Sequence, residues 1–219
     1  MKPRTVIVVA GGDVSAALPP GVLPDADTVI AADGGVDRAL ALGLHIDVAI
    51  GDFDSVTPAG LSAAEAAGAR IERHPAAKDA TDLELALDAA ISLDPNRIVV
   101  VGSDGGRLDH LLGSLELLGL ERYASAEIDA YLGAATVHVI RGSRTLMGIP
   151  GGLFSLLPLH GAAEGITTRG LEYELGGEML TAGTSRGVSN VFSAFEAHIT
   201  VARGCLLAIF PAPETQETV

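Results

Sequence analysis

The chain of 219 residues carries a formal net charge of −14 and is 48% hydrophobic, enough apolar sequence to bury a proper core and to exclude intrinsic disorder. No apolar run approaches the ~18 residues of a membrane span. The acidic balance would repel a phosphate backbone, no basic run offsets it, and the scarcity of aromatics excludes a base-stacking surface, so nucleic acid is not an expected partner.

"MKPRTVIVVAGG" reads as a first strand ending in a glycine turn rather than as a signal peptide. "DTVIAADGG" is a second strand, and "VDRALALG" continues as a helix that stops at Gly43; "IDVAIGD" is a third strand. In "LSAAEAAGARI", Ser62 and Glu65 stand at capping-box spacing and predict a short helix. Thr81 and Glu84 form a second such box, opening a helix in which Leu83, Leu87, Ala90 and Ile91 recur at helical spacing; "RIVVVGS" then returns to strand. "RLDHLLGSLELL" predicts a helix with Leu108, Leu111, Leu112, Leu115 and Leu118 on one face and Asp109 and His110 off it, free to look into a cleft. Strand–helix alternation of this kind implies a mostly parallel sheet with helices on both sides, a Rossmann-like three-layer α/β domain.

After about residue 130 the texture changes. "ATVHVIRG", "GLFSLLPL", "GITTRGLEYEL", "FEAHITVARG" and "CLLAIF" are short strand patterns punctuated by glycine and proline, which predict an all-β antiparallel sandwich or barrel. Ala197, Ile199 and Val201 alternate with His198 and Thr200, as a half-buried strand should. The lone Cys205, in "CLLAIF", excludes an internal disulfide, suits a reducing cytoplasm and reads as core filler. The boundary between the two textures falls near residues 123 to 134.

Open parallel sheets bind ligands beyond the carboxyl ends of their strands. Four unusual segments sit at or near such ends: "ADGG" at 32–35, "GDFDS" at 51–55, "KDATD" at 78–82 and "GSDGGRLDH" at 102–110. Each has an ordinary reading as well. Asp33 and Asp104 suit turns, Asp82 favours a helix dipole, Glu84 caps a helix, and Gly102, Gly105 and Gly106 are a weak phosphate-loop signal. Asp52 and Asp54 could cap a turn, hold a metal or supply a nucleophile. If the strand before them runs on extended, they point to one side, roughly 6.5–7 Å apart, with Phe53 turned to the core.

Gathered at one rim, Asp33, Asp52, Asp54, Asp79, Asp82 and Asp109 would repel one another unless a cation neutralised them. Oxygen ligands with no nearby Cys/His set point to Mg²⁺ rather than zinc, and Mg²⁺ commonly completes its shell with substrate phosphates. Lys78 and Arg107, flanked by these acids, are natural partners for phosphate oxygens. Acids, a magnesium ion, glycine loops and two cations describe a phosphoryl-transfer site, and the absence of G-x-x-x-x-G-K-[ST] separates it from the P-loop enzymes.

In order and spacing, "ADGGVDRAL", "IGDFDSV", "KDATDLELAL", "GSDGGRLDHLLGSL" and "TSRGVSN" resemble the motif series of the thiamine pyrophosphokinases, over most of the chain from about Asp33 to Asn190. The resemblance implies transfer of a diphosphoryl group from ATP to the hydroxyethyl oxygen of thiamine, giving thiamine diphosphate and AMP. It implies an α/β nucleotide-binding catalytic domain over residues 1–125 and a β-sandwich thiamine-binding and dimerisation domain over residues 130–219. A homodimer with active sites at the subunit interface is part of the same expectation. By that pattern Asp33, Asp52, Asp54 and Asp79 lie around Mg²⁺ and the ATP phosphates, with Lys78 and Arg107 as catalytic cations. Gly34, Thr81, Asp82, Gly105, Gly106, Asp109 and His110 complete the nucleotide site, and Ser185, Ser189 and Asn190 help to receive thiamine.

The sequence departs from the family pattern at several points. Phe53 stands where leucine is more usual, Leu85 where lysine is frequent, "HLLGSL" replaces the "HTLANI" type, and no tryptophan is present to stack on the thiamine pyrimidine. Two rival readings remain at this point: a haloacid-dehalogenase-type phosphatase, whose D-x-D-x-[TV] motif also fits Asp52, Asp54 and Val56, and a non-catalytic nucleotide- or thiamine-binding module.

Overall fold

Val6, Ile7, Val8 and Val9 are each fully buried in a computed structural model that describes residues 4–12, 18, 21–103 and 106–211. The strand β1 (Thr5–Ala10) is therefore covered on both faces, as a parallel strand flanked by helices is. The chain divides into two compact units, Met1–Leu117 with Ser125–Gly133, and Leu118–Ala124 with Ala134–Val219.

In the first unit β1 is followed by β2 (Thr28–Ala32), α1 (Gly35–Ala41), β3 (Val48–Gly51), α2 (Pro58–Ala66), β4 (Arg70–Arg73), α3 (Asp82–Ile91), β5 (Arg97–Gly102), α4 (Leu108–Leu118) and β6 (Glu127–Leu132). Its strands lie in the order β4-β3-β2-β1-β5-β6 and all pair parallel. The order runs outward from β1 in one direction and then resumes on its other side with β5. That reversal opens a crevice beyond the carboxyl ends of β1 and β5, where open α/β sheets place ligands. Ile7, Val9, Val29 and Ala31 share a core with Val36 and Ala39 of α1 and Ala64 of α2, while α3 buries Leu83, Ala86, Leu87 and Ala90.

Two elements differ from the sequence expectation. The helix placed at Ser62 begins earlier, at Pro58: the Thr57 hydroxyl accepts from the Gly60 N–H at 3.0 Å and Pro58 occupies the first turn, a stronger start than the Ser62/Glu65 spacing. The strand β4 was not expected, because "RIER" has one apolar residue and no period; it lies at the sheet edge with exposed ends.

The second unit is antiparallel. Its strands are β7 (Ala135–Met147), β8 (Leu153–Arg169), β9 (Gly176–Leu180), β10 (Asn190–Val191) and β11 (Glu196–Phe210). β11 pairs with β7 and β8, and β8 also pairs with β9 and β10. The short runs read from sequence fuse here: "GLFSLLPL" with the start of "GITTRG", and "FEAHITVARG" with "CLLAIF", are single long strands. Glycine did not end these strands but bent them. At Gly204 (φ +96°) the register of β11 shifts, and a Cβ there would meet the Ala162 carbonyl oxygen at 2.5 Å. Cys205 is buried, and desolvation raises its thiol pKa. Phe154, Phe192 and Phe210 pack together in this core, with Phe154 and Phe192 centroids 5.1 Å apart.

Glycine substitutions of opposite sign test the packing of the first unit. A Cβ on Gly35 would stand 2.0 Å from the Val9 carbonyl oxygen, whereas one on Gly113 in α4 would meet nothing. Gly35→Ala is expected to cost about 1–3 kcal/mol in urea unfolding, and Gly113→Ala to add about 0.5–1 kcal/mol.

Candidate active site

Asp33 leaves β2 in the left-handed region (φ 46°), its N–H donating to the Ile50 carbonyl at 2.8 Å and its own carbonyl accepting from Val36 N–H at 3.0 Å. β3 ends at Gly51, φ 152°, where a Cβ would lie 3.0 Å from the Asp33 Cβ and 3.1 Å from Asp82 Oδ1. Glycine at this point lets the two acids close over the strand end.

The extended path expected through "GDFDS" is not taken. Phe53 has φ 63° and is buried beside Val9 and Ala31, with the Arg73 guanidinium 5.0 Å from its ring centroid. The chain turns there, and the Asp54 N–H donates to Asp52 Oδ1 at 3.3 Å. Phe53 faces the core as expected, but through a tight turn that sends Asp54 to the surface while Asp52 stays half-buried.

Among the described residues, the acids that offer carboxylate oxygens within 4.8 Å of one another are Asp33, Asp52 and Asp82. Asp54 and Asp79 stand exposed outside that trio. Asp82 enters from the first turn of α3, whose cap is Thr81, accepting from the Glu84 N–H at 3.2 Å. Lys78 lies 3.0 Å from Asp82 Oδ1 and 3.6 Å from Asp52 Oδ2. Burial alone would lower the Lys78 pKa, but hydrogen bonding to Asp82 and the charges of Asp82 and Asp52 outweigh it, and the ammonium is held charged. The Asp54 carboxyl is pushed up, first by the Asp52 charge and then by Asp33.

One ammonium does not balance three carboxylates. Asp33 Oδ1 is buried without a hydrogen-bond partner among the described residues, while Oδ2 accepts from the Ser55 hydroxyl. A buried, unpartnered anionic oxygen beside two more carboxylates fits a hard divalent cation such as Mg²⁺.

The trio and Lys78 line a cleft of about 810 Å³ that lies wholly within the first unit and is the size of an ordinary ligand site. Gly11 and Gly12 after β1, Gly102 at the end of β5 with Ser103 beyond it, and Leu132 at the end of β6 are among its lining. Thr81, Gly106, Arg107, Asp109 and His110 also line it. Asp104 and Gly105 lie outside the described residues. Arg107 grips Asp109 through two bonds, Nε to Oδ1 at 3.2 Å and Nη2 to Oδ2 at 2.6 Å, and this holds the Asp109 carboxyl down at about 2. The leucines of α4 do not form a buried face: Leu108 and Leu112 are 68% and 55% exposed, and Leu111 faces the cleft with Asp109 and His110.

Sequence reasoning passed over Gly11, Gly12 and Ser55, all of which line the cleft. The signal for the glycines was present, a glycine pair at the end of a buried strand. Gly34 packs against Ser55.

In the second unit Ser185 and Ser189 are exposed, Ser189 with φ 58° and its N–H donating to Ser155 Oγ at 3.1 Å. Asn190 is buried, its side chain bridging both backbone groups of Tyr173 at 2.8 and 3.1 Å. That amide is engaged in holding the segment that carries Tyr173.

A ligand-sized cleft at a sheet's switch point, with a carboxylate trio and a fixed lysine, has the groups that the phosphate-transferring class of enzymes uses. The match to known families narrows it. The thiamin pyrophosphokinase catalytic domain matches residues 21–130, and the thiamin pyrophosphokinase vitamin B1 binding domain matches residues 137–206. The chain belongs to the thiamin pyrophosphokinase family, whose reaction is transfer of a diphosphoryl group from ATP to thiamine. It is 29% identical over 227 residues to thiamine pyrophosphokinase of Bacillus subtilis, covering 94% of this chain and 98% of that protein. The crystal structure of thiamine pyrophosphokinase from Bacillus subtilis superposes with a TM-score of 0.82 at 27% identity, over 95% of this chain and 99% of that one. A family protein from Enterococcus faecalis gives 0.78 at 27% identity, over 94% and 97%.

The Arg107–Asp109 pair is directly testable by titration. Asp109 should titrate at about 2 in carboxyl-detected NMR, and Arg107→Ala should return it towards 3.8. Because the folded carboxyl is depressed, any stability the pair contributes is present above pH ~3.8 and is lost as pH falls through about 2.

Proposed function

We propose that this chain is a thiamine diphosphokinase that binds ATP in the cleft of its first unit and transfers the β,γ-diphosphoryl group to thiamine. The observation that carries this reading is the Asp33–Asp52–Asp82 trio, with Lys78 3.0 Å from Asp82, in a cleft lined by glycine loops at the sheet's switch point. The first unit is then the Rossmann-like nucleotide-binding domain, and the second is the β-sandwich that binds thiamine and dimerises.

In this account Asp33, Asp52 and Asp82 hold Mg²⁺, and Asp54 and Asp79 stand on the rim as outer charges. When bound, Mg²⁺ neutralises charge on the phosphates and on the transferring group. The thiamine hydroxyl oxygen forms a bond to the β-phosphorus, the bond from that phosphorus to the α,β-bridging oxygen breaks, and AMP leaves with that oxygen. The hydroxyl proton passes to a carboxylate of the rim. Lys78 is already charged and fixed, so it meets phosphate oxygens without reorganisation. Arg107 is held by Asp109, lines the same cleft and serves the phosphates as a second cation. Thr81, Gly34, Gly106 and His110 shape the remaining nucleotide contacts. Ser185 and Ser189, exposed on the second unit, contact thiamine, beside Asn190, whose amide is tied to the Tyr173 backbone.

A homodimer accords with the exposed Met147, Ile149 and Phe195 of the second unit, large apolar side chains that a lone subunit would leave in water. Action in the cytoplasm accords with a lone, buried cysteine, and no helix among the described residues is long and apolar enough to cross a membrane.

Incubation with Mg·ATP and thiamine should produce AMP and thiamine diphosphate in equal amounts; ADP or free phosphate instead would favour the phosphatase reading. Asp52→Ala should lower kcat by roughly a hundredfold or more with an unchanged circular-dichroism spectrum. Near-normal turnover in that variant would remove the metal assignment.

A further inference from the structure

The acids of the trio differ in how their oxygens are used. Asp33 has one oxygen bonded by Ser55 and the other buried and without a hydrogen-bond partner among the described residues. Ser55 has a single hydroxyl proton to donate, and Asp33 Oδ2 receives it. We propose that Ser55 is a positioning residue: its hydroxyl fixes the Asp33 carboxylate so that Oδ1 is presented to the cation shared with Asp52 and Asp82.

Three features of the surrounding chain support this role. Asp33 sits in a left-handed turn (φ 46°), its N–H donating to the Ile50 carbonyl and its carbonyl accepting from the Val36 N–H rather than either serving its own carboxylate. Gly34 lies so close to Ser55 that a Cβ there would stand 2.9 Å from Ser55 Oγ and 3.3 Å from its carbonyl oxygen. The far end of the same loop is tied down separately, since Thr57 donates through its N–H and its hydroxyl to the Asp37 carboxylate, both at 2.7 Å. The segment from 52 to 57 is therefore laced to the segment from 33 to 37 by two hydroxyl–carboxylate pairs. One pair sits at the cleft, and the other anchors the start of α2. Partners of this kind behind a metal ligand typically set tenfold to hundredfold in metal affinity.

The inference rests on the reading of the trio as a divalent-cation site, and the experiment separates the two. Mn²⁺ is titrated into the full-length protein without nucleotide, and the free-ion signal is followed by electron paramagnetic resonance for the unaltered chain, Asp52→Ala, Ser55→Ala and Ser55→Thr. The expected result is tight binding by the unaltered chain, loss in Asp52→Ala, affinity weakened about tenfold or more in Ser55→Ala, and affinity near the unaltered value in Ser55→Thr, which keeps the hydroxyl. Thermal unfolding of Ser55→Ala should stay close to that of the unaltered chain. Unchanged Mn²⁺ affinity in Ser55→Ala, or equal weakening in both serine variants, overturns the positioning role and leaves the cation site standing. Absence of binding in the unaltered chain, or binding indifferent to Asp52→Ala, overturns the cation site and the positioning role together.

Discussion

Three carboxylates from three separate chain segments approach within 4.8 Å of one another with a single ammonium beside them, and that concentration of like charge governs the first unit. Left to itself the cluster would spread into water, since like charges disfavour one another's ionised forms at this range. It stays together because the backbone beneath it is over-determined. Gly35 presses on the Val9 carbonyl, Gly51 makes room for Asp33 and Asp82, and Phe53 sinks into the core to turn the chain at Asp52. Lys78 offsets part of the charge, and the remainder is what a divalent cation and phosphates would share.

The parallel sheet explains why these segments meet. Every strand of the first unit ends at the same edge, so loops after β2 and β3 and the cap of α3 converge though they are far apart in sequence. The strand order reverses around β1, which splays the loops after β1 and β5 and leaves the cleft between them. The apolar core thus builds the rim: Ala31 of β2 and Ala49 of β3 anchor the strands whose ends carry Asp33 and Asp52. The second unit solves a different problem. Long antiparallel strands bent at glycines enclose three phenylalanines and leave a loop with Ser185 and Ser189 exposed.

The sequence showed the alternating strands and helices plainly, because buried parallel strands read as unbroken apolar runs and Thr81 caps its helix by a local rule. It hid what depends on tertiary context. β4 carries too little apolar sequence to register, and α2 starts at Thr57–Pro58 because that residue pair outcompetes the later spacing. The strands of the second unit looked shorter than they are, since a glycine at a bulge and a glycine at a turn are alike in sequence. At the site, the presence of acids at strand ends was legible. Which of them assemble was not: the choice of Asp82 beside Asp33 and Asp52 turns on the positive φ of Phe53 and on the cap geometry at Thr81, neither of which a period reveals. Ser55 was invisible for the same reason, being defined by a partner more than twenty positions away.

The central claim is that the trio is a cation seat and that Lys78, fixed beside Asp82 and Asp52, meets the phosphates of the bound nucleotide. Anomalous diffraction from crystals grown with Mn²⁺, a non-hydrolysable ATP analogue and thiamine tests it directly. The account predicts a manganese peak bounded by oxygens of Asp33, Asp52 and Asp82, with the triphosphate in the cleft and Lys78 against its oxygens. A peak held by other residues, or a nucleotide bound outside the cleft with its phosphates away from Lys78, would contradict it.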